Sequence, residues 1–181
     1  MFVKQLCRTA ICLLFFASTL SRAEVTAVSD HGFVSEHRLI LPATPDDAMT
    51  AMINDVHLWW DASHSFGGRA AGFSIDATAG GCFCEQIEDG GSVQHLRVVN
   101  VLPGKSITFH GGLGPLQSMA VTGAMTFTFE PHAQGSELKY RYSVSGFLPG
   151  GLQPLAGPVD QVQLGQLKRL QEYLLTNKPL N

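Results

Sequence analysis

Regular alternation of apolar and polar side chains over residues 118–130 and 136–146 constrains the fold of this chain more than any other feature. Successive side chains of a β-strand point to opposite faces, so this pattern describes strands with one buried face. The apolar members of the two segments are Val121, Met125, Phe127, Phe129, Leu138, Tyr140, Tyr142 and Val144. The pattern predicts two long antiparallel strands whose other face meets water.

Shorter runs that favour strands precede these two segments, and glycine- and proline-containing turns separate them. They cover residues 33–41, 71–75, 82–87, 93–102 and 106–110. Together with the two long segments they predict a sheet of about seven strands.

Two other segments carry helix signals. Thr44 can cap a helix, and Pro45 suits the first helical position. This predicted helix ends near residues 57–60. A longer helix closes the chain, and its apolar stripe is formed by Leu152, Leu155, Val159, Val162, Leu170 and Tyr173. Gln166 lies inside that stripe, where a purely structural helix would not require glutamine.

The order of these elements predicts an α+β domain in which a curved antiparallel sheet wraps round the long C-terminal helix. In this arrangement the chain resembles the START-like superfamily, the group of Bet v 1, the polyketide cyclases and the Hsp90-activator homologues. The resemblance rests on the helix start at residues 42–47, Trp59-Trp60, the turn Gly80-Gly81-Cys82-Phe83, the segment Val101-Leu102-Pro103-Gly104-Lys105 and the closing helix. None of these is a catalytic signature.

The resemblance implies a helix-grip fold with an elongated apolar cavity between the sheet and the C-terminal helix. Such a cavity suits a hydrophobic small molecule or a lipid-like ligand. The residues expected to bind it are Trp59, Trp60, Phe66, Phe73, His95, Arg97, Phe109, Met125, Phe127, Tyr140, Tyr142 and Gln166. The alternative for each of them is that it fills the core or supports the fold.

The first residues have the composition of an export signal. Lys4 and Arg8 are basic, residues 11–17 are apolar, and Ser21-Arg22-Ala23 forms a small-residue cleavage site. We therefore predict a cleaved signal peptide at residues 1–23, a single START-like domain at residues 24–181, and a periplasmic or secreted location.

The charge of the mature chain argues against two classes of partner. Without Lys4, Arg8 and Arg22, nine basic residues stand against fifteen acidic residues, and the formal net charge changes from −3 to −6. An acidic domain without basic clusters is a poor match for nucleic acid or for an anionic membrane surface. We also predict no stable membrane insertion after signal cleavage, and a monomer or weak dimer.

Two pairs of residues could carry chemistry. His95 and Arg97 are two positions apart on a predicted strand, so they should share a face and either bind an anionic group in the cavity or lie in solvent. Cys82 and Cys84 also share a face. Two buried thiols are favoured there, with a disulfide that would need a local kink, or metal or redox chemistry, as alternatives.

No catalytic or metal-binding signature stands out. The spacing of His57, His64, Cys82 and Cys84 does not favour a closed zinc site, and we predict no metal and no cofactor. Glu85, Asp61 and Asp160 are isolated acids without a visible partner. The chain has no nucleophile elbow, so no catalytic residue is predicted.

Two alternatives to a binding module remain. A cyclase, dehydratase or hydrolase would require polar side chains to converge in the cavity, drawn from His64, Glu85, His95, Arg97, Tyr140 and Tyr142. A protein-interaction role would require an extended exposed apolar patch.

Overall fold

The computed structural model describes residues 25–181, so the predicted export signal lies outside the described residues. The strands are β1 (Val25–Ser29), β2 (Gly32–Leu41), β3 (Phe73–Ile75), β4 (Cys82–Gln86), β5 (Ser92–Leu102), β6 (Ser106–His110), β7 (Val121–His132) and β8 (Gly135–Gly146). The α-helices are α1 (Pro45–Asn54), α2 (Val56–Trp59) and α3 (Gln153–Thr176). The predicted α+β arrangement of an antiparallel sheet with a long C-terminal helix is confirmed.

The strands form one antiparallel sheet in the order β1-β2-β8-β7-β6-β5-β4-β3. The described residues contain eight strands rather than about seven, because β1 forms an additional hairpin with β2. Helix α3 packs against β2 and β1 and also contacts α1 and α2.

The two long strands have the predicted buried face. Met125 pairs with Tyr142 and Phe127 pairs with Tyr140, and all four side chains are buried. Their intervening neighbours, such as Thr126 and Arg141, are partly or fully exposed. The hydrophobic core therefore lies between this face and the helices.

The first helical segment begins as predicted, since the Thr44 hydroxyl accepts a hydrogen bond from the Asp47 backbone N–H at 3.2 Å. It then divides into α1 and α2 at Asp55. Side chains of α3 hold this junction: Arg169 Nε donates to the Trp59 carbonyl at 2.8 Å, and the Tyr173 hydroxyl donates to Asp55 at 2.9 Å. Among the described residues, no helix has the length and apolar composition needed to cross a membrane.

A β-bulge in β5 overturns the expected shared face of His95 and Arg97. Phe83 pairs with Leu96 and Cys84 pairs with Gln94, so His95 is an extra residue with no partner on β4. A bulge of this kind shifts the alternation by one position. His95 and Leu96 are consequently both buried, whereas Arg97 is exposed.

The expectation of two free thiols is also wrong, because Cys82 and Cys84 form a disulfide. Their Cα atoms are 5.4 Å apart, which is closer than a regular strand would bring them. The pairing shift opposite His95 supplies the irregularity that a bridge between these positions needs. Both half-cystines are on the face of β4 opposite to the buried Phe83 and Glu85.

Candidate functional site

A cavity of about 400 Å³ lies between α3, the sheet and two loops. Leu155, Val159 and Val162 of α3 form one apolar wall. The facing rims are residues 63–66 and residues 113–116 with Met119, and Trp60 and His95 complete the lining. The helix face that the sequence assigned to the core is therefore shared between the core and this cavity.

Glu85 organises the wall of the cavity nearest β4. Its Oε1 accepts hydrogen bonds from the Ser65 hydroxyl and the Gly67 backbone N–H, both at 2.6 Å. Its Oε2 accepts from the Phe66 backbone N–H at 3.1 Å and lies 3.0 Å from His95 Nε2. Glu85 itself is fully buried. One carboxylate thus binds the cavity-rim loop and a strand side chain at the same time.

His95 lies in an aromatic environment beside that carboxylate. The centroid of its ring lies 5.2 Å from those of Phe73 and Phe83, and 5.8 Å from that of Phe66. Phe66 is 56% exposed while His95 is only 3% exposed, so this contact joins an exposed aromatic side chain to a buried imidazole. Within residues 25–181, the buried Nδ1 atom of His95 has no hydrogen-bond partner.

The local environment changes the acidity of both members of this pair. Burial lowers the pKa of His95 below its ordinary value, and the hydrogen bond and charge of Glu85 offset this only in part. For Glu85, burial raises the pKa, but the hydrogen bonds from Ser65, Gly67, Phe66 and His95 together outweigh it. The net pKa of Glu85 is therefore lowered. At neutral pH the site holds a carboxylate beside an uncharged imidazole.

Two further anchors fix the loops that border the cavity. Gln166 accepts a hydrogen bond from the Asp61 backbone N–H at 2.9 Å, which ties the segment after α2 to α3. On the opposite rim, the Tyr142 hydroxyl donates to the Gly111 carbonyl at 3.0 Å and accepts from the Leu113 backbone N–H at 3.1 Å. Gln166 in the apolar stripe is thereby explained as a support for the loop.

The residues predicted to bind ligand divide into several groups. Trp60, Phe66 and His95 line the cavity. Trp59, Phe109, Met125 and Phe127 adjoin a separate internal space of about 20 Å³, and Trp60 borders both spaces.

Phe73, Tyr140, Tyr142 and Gln166 are buried supports that do not line the large cavity. Arg97 is exposed, borders a groove with Gly80 and His110, and does not line the cavity with His95.

Several lining or supporting residues were missed by the sequence reasoning. Glu85 is not isolated, because residues 65–67 and His95 contact it. The alternation of β4 carried a signal for it, since Glu85 shares the buried face of Phe83. Gln163 also lines the cavity, and its Oε1 accepts a hydrogen bond from the buried Tyr140 hydroxyl at 2.9 Å.

A second buried polar cluster lies away from the cavity. Asp160 Oδ1 accepts a hydrogen bond from the Ser35 hydroxyl at 2.5 Å and lies 2.9 Å from His37 Nε2. Asp160 is therefore not isolated either. The same nitrogen of His37 faces both partners, so this is not the serine–histidine–aspartate relay of hydrolases. In residues 25–181, no group of three or more histidine, cysteine, aspartate or glutamate side chains is arranged to hold a metal ion.

Solved structures share this fold over most of the chain. An uncharacterised protein from Rhizobium leguminosarum aligns with 87% of this chain and 99% of its own, with a TM-score of 0.61 and 18% identity. A protein from Mesorhizobium loti aligns with 81% of this chain and 99% of its own, with a TM-score of 0.56 and 20% identity.

DynU16, a protein in the dynemicin biosynthetic locus, aligns with 81% of this chain at a TM-score of 0.51 and 22% identity. The alignment spans 48% of DynU16. No family model matches the chain, and the comparison with curated proteins gives no match. These likenesses define the class of the protein as an α+β domain with a helix-grip-like fold.

Proposed function

We propose that this domain binds a hydrophobic small molecule or lipid-like compound in the cavity between the sheet and α3. The observation that carries the proposal is the cavity itself, with its volume of about 400 Å³ and its predominantly apolar lining. Small-molecule sites in proteins typically occupy about 300–1,000 Å³ and combine apolar walls with a few polar groups. Here Gln163, His95 and residues 63–65 supply those polar groups.

The comparisons support this proposal at the level of fold. DynU16, which shares the fold, is a protein in a biosynthetic locus. That context is compatible with a small-molecule ligand for this domain.

A cavity-filling substitution tests the proposal directly. Val162→Trp places an indole in the cavity, while Val28→Trp makes the same substitution at an exposed position of the edge strand β1. The probe is N-phenyl-1-naphthylamine, an uncharged compound whose fluorescence rises in apolar surroundings. We expect Val162→Trp to weaken binding at least about tenfold and Val28→Trp to leave it unchanged. Absence of binding to the unmodified domain, or equal binding by both variants, would overturn the proposal.

We also propose that the domain is exported and acts as a monomer or weak dimer. The basic and apolar residues of the N-terminal segment support export, as does the Cys82–Cys84 disulfide, because disulfides persist in oxidising compartments. The intact mass of protein from a periplasmic or extracellular fraction should correspond to a chain that begins at Glu24. Cytoplasmic protein that retains Met1 would contradict export. Sedimentation of the same sample measures the oligomeric state.

An acid–base enzyme is the second candidate, and the contact between Glu85 and His95 favours it. Such a carboxylate–imidazole pair can remove a proton from a bound substrate. His64 lines the same cavity. Untargeted mass spectrometry of an apolar extract incubated with the domain separates the two candidates. A compound converted by sub-stoichiometric protein, but not by His95→Phe, indicates an enzyme, whereas stoichiometric retention without conversion indicates a binding module.

A further inference from the structure

We propose that His95 Nδ1 accepts a hydrogen bond from a hydroxyl group of the ligand, so that the ligand is an uncharged aromatic compound bearing a phenolic or similar hydroxyl. This inference rests on the proposed binding function and names the chemical class that the same cavity would select.

The hydrogen bonds of Glu85 determine which nitrogen of His95 is the acceptor. A carboxylate can only accept, so the hydrogen of the neutral imidazole must be on Nε2, which lies 3.0 Å from Glu85 Oε2. Nδ1 then carries a lone pair. Glu85 acts as a positioning residue, because it fixes the ring and its tautomer without lining the cavity itself.

The Nδ1 atom of His95 is a buried acceptor to which a ligand could donate a hydrogen bond. His95 lines the cavity and is 3% exposed, and within residues 25–181 nothing donates to its Nδ1. A buried acceptor without a donor is unfavourable, so a ligand hydroxyl that reaches Nδ1 gains more than the same ligand without one. Burial lowers the pKa of His95, which keeps the acceptor form of the ring at neutral pH.

The other residues that line the cavity disfavour a charged group on the ligand. No lysine, arginine, aspartate or glutamate is among the described residues that line the cavity. A ligand carboxylate or ammonium would therefore be buried there without a partner of opposite charge, which is costly. Trp60 and Phe66 line the same cavity, and the Phe66 ring centroid lies 5.8 Å from that of His95. Together these features favour a neutral aromatic alcohol over a fatty acid or an amine.

A pair of matched probes isolates the hydroxyl donor. 2-Naphthol and 2-methoxynaphthalene share the ring system, and both can accept a hydrogen bond, for example from the indole of Trp60, but only the naphthol can donate. Calorimetric titration at neutral pH should show that the domain prefers 2-naphthol by about tenfold. His95→Phe should reduce this preference to less than about twofold, whatever its effect on the affinity for each probe alone. His110→Phe, the same substitution on the exposed side of β6, should keep the full preference.

A measurement on the unsubstituted domain tests the same inference without depending on whether His95→Phe folds. The ¹⁵N resonance of His95 Nδ1 should shift when 2-naphthol is added and remain in place when 2-methoxynaphthalene is added. Equal affinity for the two probes, or a stationary Nδ1 resonance, overturns this inference and leaves the proposed binding function intact. Failure of both probes to bind overturns the two proposals together.

Discussion

The Nε2 atom of His95 lies 3.0 Å from Oε2 of Glu85, and both side chains are buried beside the cavity. This contact joins the bulge of β5 to the loop at residues 65–67, because the same carboxylate also accepts three hydrogen bonds from that loop. The carboxylate of Glu85 therefore links the rim loop of the cavity to β5.

Glu85→Gln should destabilise the domain by roughly 2–4 kcal/mol. Each carboxylate oxygen accepts from two donors, and the substitution replaces one oxygen by an NH₂ group that cannot accept. Urea unfolding measures the loss. Glu88→Gln is the matched control, because Glu88 is exposed and pairs with Arg69 at the surface, where an ion pair contributes at most about 1 kcal/mol. Similar losses in the two variants would contradict the role assigned to Glu85.

Acidification should destabilise the domain in two steps. The pKa of His95 is lower in the folded than in the unfolded chain, so the unfolded chain binds more protons as the pH falls below the ordinary value of 6.5, and stability declines. Glu85 adds a second decline below its ordinary value of 4.5, since its pKa is also lowered on folding. The titratable group in contact with His95 is Glu85 on β4, and among the described residues His64 lies at the rim of the same cavity.

Urea unfolding at a series of pH values tests this order. In His95→Phe the first decline should shrink while the second persists. An unchanged profile above pH 4.5 in that variant would show that His95 does not carry the first step.

All three tyrosines of the chain should resist ionisation in the folded state. Burial raises the pKa of Tyr140 well above its ordinary value of 10.0 and that of Tyr142 to about 12, and it also raises the pKa of Tyr173, where Asp55 adds to the effect. A raised pKa means that stability is complete below the ordinary value and is lost as the pH rises towards the folded one. Near-ultraviolet absorbance at about pH 10.5 should show less tyrosinate in the native domain than in urea, where the tyrosines are mostly ionised. Equal absorbance would count against the buried environments of these rings.

Removing the Cys82–Cys84 disulfide should have a modest effect on stability and none on ligand binding. The bridge closes a very short loop, so its loss should cost roughly 1–2 kcal/mol. The half-cystines face away from the cavity, so Cys82→Ser/Cys84→Ser should bind N-phenyl-1-naphthylamine like the unmodified domain. Reduction of the unmodified domain should reproduce the loss of stability. Two free thiols before reduction would contradict the bridge.

The sequence predicted those parts of the fold that follow from local periodicity. The alternation through Tyr140 and Tyr142 identified a buried strand face, and Thr44 identified the start of a helix. Such signals depend on residues a few positions apart, and burial of one face of the sheet maintains them in the folded chain.

The candidate site was less accessible because it is formed by contacts between distant segments. Glu85 is about twenty positions from Ser65 along the chain, and the carboxylate gives no local sign of that partner. His95 lines the cavity and Arg97 does not, because the extra residue of the bulge shifts the alternation between them. No local pattern in the sequence reveals such a bulge. The disulfide depends on the same irregularity.

Because of its bulge, β5 has one residue more than β4 between the pairs on either side of His95. Because His95 has no partner on β4, a chain shortened by this one residue could keep each of the existing backbone pairs between the two strands. Deletion of that residue would remove the imidazole beside Glu85 and leave this buried carboxylate with one hydrogen-bond donor fewer. In this domain the length of β5 thus decides whether an imidazole lies beside Glu85, while the paired residues of the two strands stay the same.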